Sequence, residues 1–218
     1  MLYNPVASVL QKGRTHACRD KTTEGQTCGT GRRAMTVAET ISSGDRPRDL
    51  TLDWPLELFD VLKAAGIRQM SYVPDAGHST LIRLFNADPE IKTNVLTTEE
   101  EGVAIATGAW LGGQRSVVLM QSSGVGNCIN MLSLPVQTRT PLLMLVTMRG
   151  EWAEFNPWQV PMGQATEASL KAIGVTVMRA ETGEDLVEIV AQAAVMAFEA
   201  DQQIAVLIGQ RLLGKKKW

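Results

Sequence analysis

Histidine and cysteine are scarce in this 218-residue chain, which has only His16, His78, Cys18, Cys28 and Cys128. Two histidines exclude a His-rich metal site on inventory alone. Three cysteines, odd in number and without metal-ligand spacing, argue against a secreted disulfide framework and fit a reduced, cytoplasmic chain. No apolar run reaches the roughly 20 residues of a transmembrane helix, so no membrane partner is expected. A formal net charge of −2 gives no reason to expect nucleic acid or an anionic lipid surface either. The length suits one sizeable α/β domain and is too short for two comfortable ones.

Apolar periodicity is missing from residues 1–50, which are rich in Thr, Gly, Arg and Ser, with basic residues at Lys12, Arg14, Arg19, Lys21, Arg32 and Arg33. The apolar core of a secretory signal is absent. Asp20 and Glu24 argue against an organelle transit peptide. Residues 1–50 are therefore expected to be a disordered extension, or residues ahead of a true start at Met35. At the other end, residues 214–218, with Lys215, Lys216, Lys217 and Trp218, read as a solvated basic tail.

What is present begins at residue 54. Trp54 to Ala65 reads as an amphipathic helix stopped by Gly66, and Arg68 to Val73 as a short strand closed by Pro74. Helical patterns follow over Ser79 to Asn86, Glu101 to Leu111, Asn127 to Leu134, Glu167 to Ala172 and Glu184 to Ala200. Strand patterns lie at Thr93 to Leu96, Ser116 to Met120, Leu142 to Thr147, Val175 to Met178 and Ile204 to Ile208. Several strands are continuous apolar runs, as in a sheet buried on both faces. Six strands alternating with helices predict an α/β fold: an open, mainly parallel six-stranded sheet with helices on both faces, spanning residues 51–213. In such sheets ligands sit outside the carboxyl ends of the strands. The loops Pro74 to Ser79, Thr97 to Glu101, Gln121 to Asn127 and Arg149 to Gln164 are thus where chemistry is sought.

Thr97-Thr98-Glu99-Glu100-Glu101-Gly102 places carboxylates where an apolar strand gives way to a small-residue helix. Acidic residues also favour a helix N-terminus for structural reasons alone, and Thr98 with Glu101 forms a plausible capping box. By sequence alone Glu99, Glu100 and Glu101 compete. Gln121-Ser122-Ser123-Gly124-Val125-Gly126-Asn127 is a second candidate, a loop able to bring backbone close to a ligand. Pro74-Asp75-Ala76-Gly77-His78 and Arg149-Gly150-Glu151 complete the set, although each also makes sense as a turn or an anchor.

Together these motifs resemble the pyrimidine-binding domain of thiamine-diphosphate-dependent decarboxylases. In that family a glutamate ends the second strand, with a small residue three positions on and a glycine nine positions on. Glu99, Gly102 and Gly108 match that spacing. The Met120-to-Asn127 run is similar to one in the phosphonopyruvate and sulfopyruvate decarboxylase branch. The resemblance implies that Glu99 hydrogen-bonds the cofactor aminopyrimidine and helps activate it. Gln121, Ser123, Gly124, Gly126 and Asn127 would lie against the cofactor. Asp75 and His78 would handle substrate or protons, His78 by position only, and Arg149 would either pair with an anionic substrate head or anchor its loop.

Complete enzymes of this kind carry a second domain with Gly-Asp-Gly and a downstream Asn that hold the metal clamping the diphosphate. No such motif follows residue 54, and Gly44-Asp45-Arg46 lacks a preceding apolar strand. The resemblance therefore implies thiamine diphosphate shared with a separate β chain that carries the diphosphate-binding domain and the Mg2+, in an α2β2 or larger assembly. Trp110, Trp152 and Trp158 are compatible with large interfaces. The expected role is α subunit of a decarboxylase acting on a sulfopyruvate- or phosphonopyruvate-like 2-oxo acid. The alternatives are a non-catalytic subunit of a thiamine enzyme and a flavodoxin-like binding module.

Overall fold

Leu58 and Leu62, four residues apart and fully buried, set the inner face of the first helix, α1 (Trp54–Ala64), in a computed structural model that describes residues 54–214. The expected extension over 1–50 and the tail beyond Gly214 lie outside the described residues, as do His16, Cys18 and Cys28. After Gly66 the chain enters β1 (Ile67–Tyr72), α2 (Ser79–Ala87), β2 (Lys92–Val95) and α3 (Glu99–Leu111). Next come β3 (Arg115–Gln121), α4 (Ser122–Cys128), α5 (Ser133–Thr138) and β4 (Leu142–Thr147). The remaining elements are α6 (Val160–Ala172), β5 (Thr176–Ala180), α7 (Gly183–Glu199), β6 (Gln203–Ile208) and α8 (Gln210–Leu213).

The six strands form one sheet in the order β2-β1-β3-β4-β6-β5, and every pairing is parallel. The sheet is thus wholly rather than mainly parallel. Right-handed crossovers make the direction of each step decide which face its helix covers. The steps β1 to β2 and β5 to β6 run one way, and α2 and α7 join α1 on one face. The steps from β2 to β3, β3 to β4 and β4 to β5 run the other way, and α3, α4 and α6 cover the opposite face.

Strand residues alternate between the two cores with the period of the pleat. Val117, Leu119, Leu143 and Leu145 face α1, α2 and α7, whereas Val118, Met120, Met144 and Val146 face α3, α4 and α6. Both cores are close-packed, so truncating a central residue such as Leu143, fully buried, would cost about 2–5 kcal/mol.

Several helices differ from the sequence expectation: α3 begins at Glu99 rather than Glu101, and α8 is additional. The helix expected over Asn127 to Leu134 is two short helices, and the first begins at Ser122. The glycine-rich segment after β3 is therefore not a loop but the body of α4. Glycine disfavours a helix locally, and here packing on α3 and α6 overrides that preference. In α6 the helix begins at Val160 rather than near Glu167, because Pro161 sits in its first turn, where a missing N–H costs nothing. The chain leaves β1 towards β2 on one side and returns to β3 on the other. That reversal opens a crevice at the carboxyl ends of β1 and β3.

Candidate functional site

Glu99 is the first residue of α3, at the carboxyl end of the sheet, and is only 6% exposed. The Asn127 side-chain amide donates to its Oε2 at 2.9 Å. Gly124 lies directly against the carboxylate: a methyl group there would meet the Glu99 Cγ at 2.5 Å and the carboxyl group closer still. Only glycine fits. Gly102 does the same service one turn along, since a Cβ would press on Leu96 and Val118 at 2.8 Å, and so α3 lies close on the sheet. Among the described residues, Glu99 Oε1 has no hydrogen-bond donor. A buried carboxylate thus has one oxygen fixed by a hydrogen bond and the other, lying against Gly124, without a donor among the described residues.

The structure separates the three consecutive glutamates. Glu100 and Glu101 are exposed, and Glu101 Oε2 accepts from the Thr97 N–H at 2.8 Å. The Thr98 side chain makes no capping hydrogen bond, so the expected capping box is only half formed and is displaced by one residue. The distinction between Glu99 and its neighbours comes from burial, which the sequence does not print.

Asp75 leaves β1 and reaches across β3: its Oδ2 accepts from the Thr147 hydroxyl at 2.7 Å and its Oδ1 from the Gln121 amide at 3.4 Å. Gln121 Oε1 is buried with no partner among the described residues. His78 is 1% exposed, and its Nε2 lies 3.3 Å from the Met120 carbonyl and 3.2 Å from that of Leu145. Burial lowers its pKa, against a smaller opposing pull from Asp75 and the two carbonyls. The neutral ring donates from Nε2 to main-chain oxygens of β3 and β4. His78 is therefore a buried ring held on the main chain of β3 and β4 at the foot of the Asp75 loop.

Arg149 follows β4 and is 8% exposed. Its Nε and Nη2 donate to Glu154 at 2.7 and 2.6 Å, a bidentate pair, and its guanidinium lies over the Phe155 ring at 5.6 Å. Glu154 also accepts from the Gly150 and Asn156 N–H groups and from the Gln210 amide. The Arg149 fork, with these further donors, holds the Glu154 carboxyl down at about 2. Of the two readings of Arg149, anchor of its own loop or receptor for a substrate anion, this geometry supports the anchor.

A cavity of about 100 Å3 opens beside it, lined by Asp75, Thr147, Arg149, Trp152, Phe155 and Gln210, among others. The sequence motifs thus resolve into two neighbouring places joined by the start of α4. Glu99, Gly124 and Asn127 form one, and Asp75 and Arg149 border the other, with Gln121 donating to Asp75 behind it. Ser122 Oγ links them by accepting from the Arg149 N–H at 3.1 Å. Ser123 is half-buried on α4, and Gly126 is exposed with the Met162 side chain beside it. Sequence reasoning missed Thr147, Glu154 and Gln210. No local pattern marks them, because each acts through partners distant in sequence or through loop geometry.

The described residues contain no helix long and apolar enough to cross a membrane. Residues 57–167 match the family described as "Thiamine pyrophosphate enzyme, N-terminal TPP binding domain". Sulfopyruvate decarboxylase subunit alpha of Methanococcus maripaludis is 30% identical over 152 residues, which are 69% of this chain and 91% of that protein. Sulfopyruvate decarboxylase of Methanosarcina acetivorans is 37% identical over 122 residues, 55% of this chain but only 31% of that protein. In structure, 2-oxoglutarate:ferredoxin oxidoreductase from Magnetococcus marinus superposes with a TM-score of 0.63 at 15% identity, over 75% of this chain and 30% of that one. The last likeness establishes the fold, and this chain spans about a third of that enzyme's length. With a matching profile across half its length and a relative matched almost end to end, the chain belongs to the thiamine pyrophosphate enzyme family, as its N-terminal TPP-binding domain.

Proposed function

We propose that this chain is the α subunit of a heteromeric thiamine-diphosphate-dependent decarboxylase acting on a small 2-oxo acid of the sulfopyruvate or phosphonopyruvate type. The observation that carries the reading is the Glu99 cradle: a buried carboxylate pressed on a glycine, with one oxygen held by Asn127 and the other without a donor among the described residues. That donor set fits the aminopyrimidine of the cofactor. Glu99 would hold or return a proton at a ring nitrogen through Oε1, while Asn127 fixes the carboxylate and Gly124 leaves it room to lie there. The unpartnered Gln121 Oε1 is a further acceptor on the same edge. When bound, the cofactor supplies a nucleophilic carbon and a sink for the electrons released with carbon dioxide.

Asp75, held by Thr147, is the side chain of this chain best placed to move protons on the substrate side. His78 supports its loop from below, and Arg149 fixes the wall of the adjoining cavity. A carboxylate cradle without a diphosphate clamp gives little affinity for the cofactor by itself. The clamp and its Mg2+ belong on this reading to a separate β chain, in an α2β2 or larger assembly with the cofactor shared. Two comparisons support that division. The M. maripaludis protein, named a subunit alpha, is matched over 91% of its length, whereas the singly named M. acetivorans protein has most of its length beyond the match.

Affinity capture of the tagged full-length chain from its native cells tests the division. The expected result is co-purification of a chain bearing Gly-Asp-Gly and a downstream Asn, with cofactor-dependent release of carbon dioxide from 3-sulfopyruvate or 3-phosphonopyruvate. Recovery of the chain alone, under conditions that preserve weak complexes, would count against it.

A further inference from the structure

Gln210 is the first residue of α8, far in sequence from every motif discussed above, and is only 9% exposed. Its side chain is used at both ends. The Oε1 accepts from the Glu151 and Trp152 N–H groups, each at 2.9 Å, and the Nε2 donates to Glu154 at 3.0 Å. All three partners lie on the segment between β4 and α6, which we call the strap. Two strap residues have left-handed backbone, Gly150 at φ 77 and Ala153 at φ 48. Ala153 is a residue type that adopts this conformation only at some energetic cost. The backbone alone does not favour this shape; the strap is held by the Arg149–Glu154 fork, by the Arg179–Glu151 ion pair and, from the far end of the chain, by the Gln210 clasp.

The clasp matters because of what the strap encloses. Trp152, Ala153 and Phe155 form one wall of the cavity of about 100 Å3, and Asp75, Ala76 and Thr147 face them. That volume is well below the roughly 300–1,000 Å3 of pockets for drug-sized ligands, and suits the head of a small acid. Gln210 lines the cavity as well, so one residue both touches the compartment and holds the segment that forms its wall.

We propose that Gln210 is a positioning residue that sets the size of substrate admitted beside Asp75, by clasping the strap against the end of β6. The inference rests on the decarboxylase reading given above. It adds a determinant of substrate size contributed by the C-terminal helix.

The test compares wild-type, Gln210→Ala and Gln210→Glu chains, each at full length and assembled with its partner chain. Gln210→Glu keeps an acceptor for the two amides but sets a carboxylate against Glu154, and so covers the case in which the alanine variant fails to fold. Amide exchange reads the clasp: loss of protection at Glu151 and Trp152, with β4 and α6 unchanged, is expected for Gln210→Ala. Steady-state kinetics read the selection. The KM for 3-sulfopyruvate should rise about tenfold with kcat little changed, because a loosened wall weakens ground-state and transition-state binding alike. The preference in kcat/KM for 3-sulfopyruvate over the bulkier benzoylformate should fall by a similar factor.

Unchanged exchange in both variants would overturn the clasp. Freed amides with an unchanged preference would overturn the size selection. A wild-type complex that turns over no 2-oxo acid would instead defeat the underlying reading, and this inference with it.

Discussion

The two sides of α4 are built on different principles. On one side, Glu99, Gly124 and Asn127 meet because two helix starts pack tightly, and the fit depends on the absence of a side chain at Gly124. On the other, Arg149, Glu154, Glu151 and Gln210 hold a strap in place through a network of charges and amides. The first is a rigid steric cradle, and the second a polar clasp around a cavity. A group that must exchange a proton at a fixed atom needs the former. A compartment that must admit and release a small acid is served by the latter, since polar contacts at a surface strap open more readily than a packed core.

The comparison breaks most sharply at Gly124. Gly124→Ala should displace the Glu99 carboxylate, because the new methyl group cannot coexist with it, and decarboxylase activity of the assembled complex should fall about 100-fold or more. Thermal unfolding of the variant should shift much less than its activity. Loss of stability and activity in equal measure would mean that Gly124 serves packing alone.

On the polar side the effect is on stability and pH. The Glu154 carboxyl, held at about 2 chiefly by Arg149 against an ordinary value of 4.5, binds its proton less readily folded than unfolded. Its contribution, on the order of 3 kcal/mol, is complete above about pH 4.5 and is lost as pH falls towards 2. His78 acts in the same sense at milder acidity: burial lowers its pKa below 6.5, so the unfolded chain takes up that proton first. Denaturant melts across pH 7 to 3 should therefore show stability falling with acid. Glu154→Gln should flatten the part below pH 4.5, and an unchanged acid limb would contradict the assignment.

The smallest effect separates Gly108 from the other glycines of the cradle. Nothing within this chain lies within 4 Å of a Cβ placed there, and the residue is exposed in the middle of α3. Gly108→Ala should stabilise the isolated chain by about 0.5–1 kcal/mol, measured by equilibrium unfolding. Destabilisation would show a contact that the described residues do not account for.

The same contrast explains what the sequence disclosed. Periodicity located all six strands within a residue or two, because apolar alternation and turn residues are local signals. The family resemblance selected Glu99 through its spacing from Gly102 and Gly108, and burial, which the sequence does not carry, separates it from Glu100 and Glu101 in the structure. Helix starts were harder. Gly124 and Gly126 read as a loop although tertiary packing makes them helical, and Pro161 hid the first turn of α6. Trp110 resembled an interface residue but stacks on Phe198 with ring centres 6.3 Å apart, whereas Trp158 is 83% exposed. Gln210 left no trace because its partners are brought to it by the end of β6, and Glu154 left none because its contacts to Arg149, Gly150 and Asn156 depend on the shape of an irregular loop.

The central claim is that Glu99 is the carboxylate that serves the cofactor, and Glu99→Gln in the assembled complex tests it most directly. The substitution keeps the shape and removes the acid. The account predicts retained partner binding with decarboxylation reduced by about 100- to 10,000-fold, the usual weight of a positioned acid–base group. Decarboxylation at the wild-type rate by a Glu99→Gln complex would contradict it, and would leave this chain as a non-catalytic subunit that keeps the fold of its family.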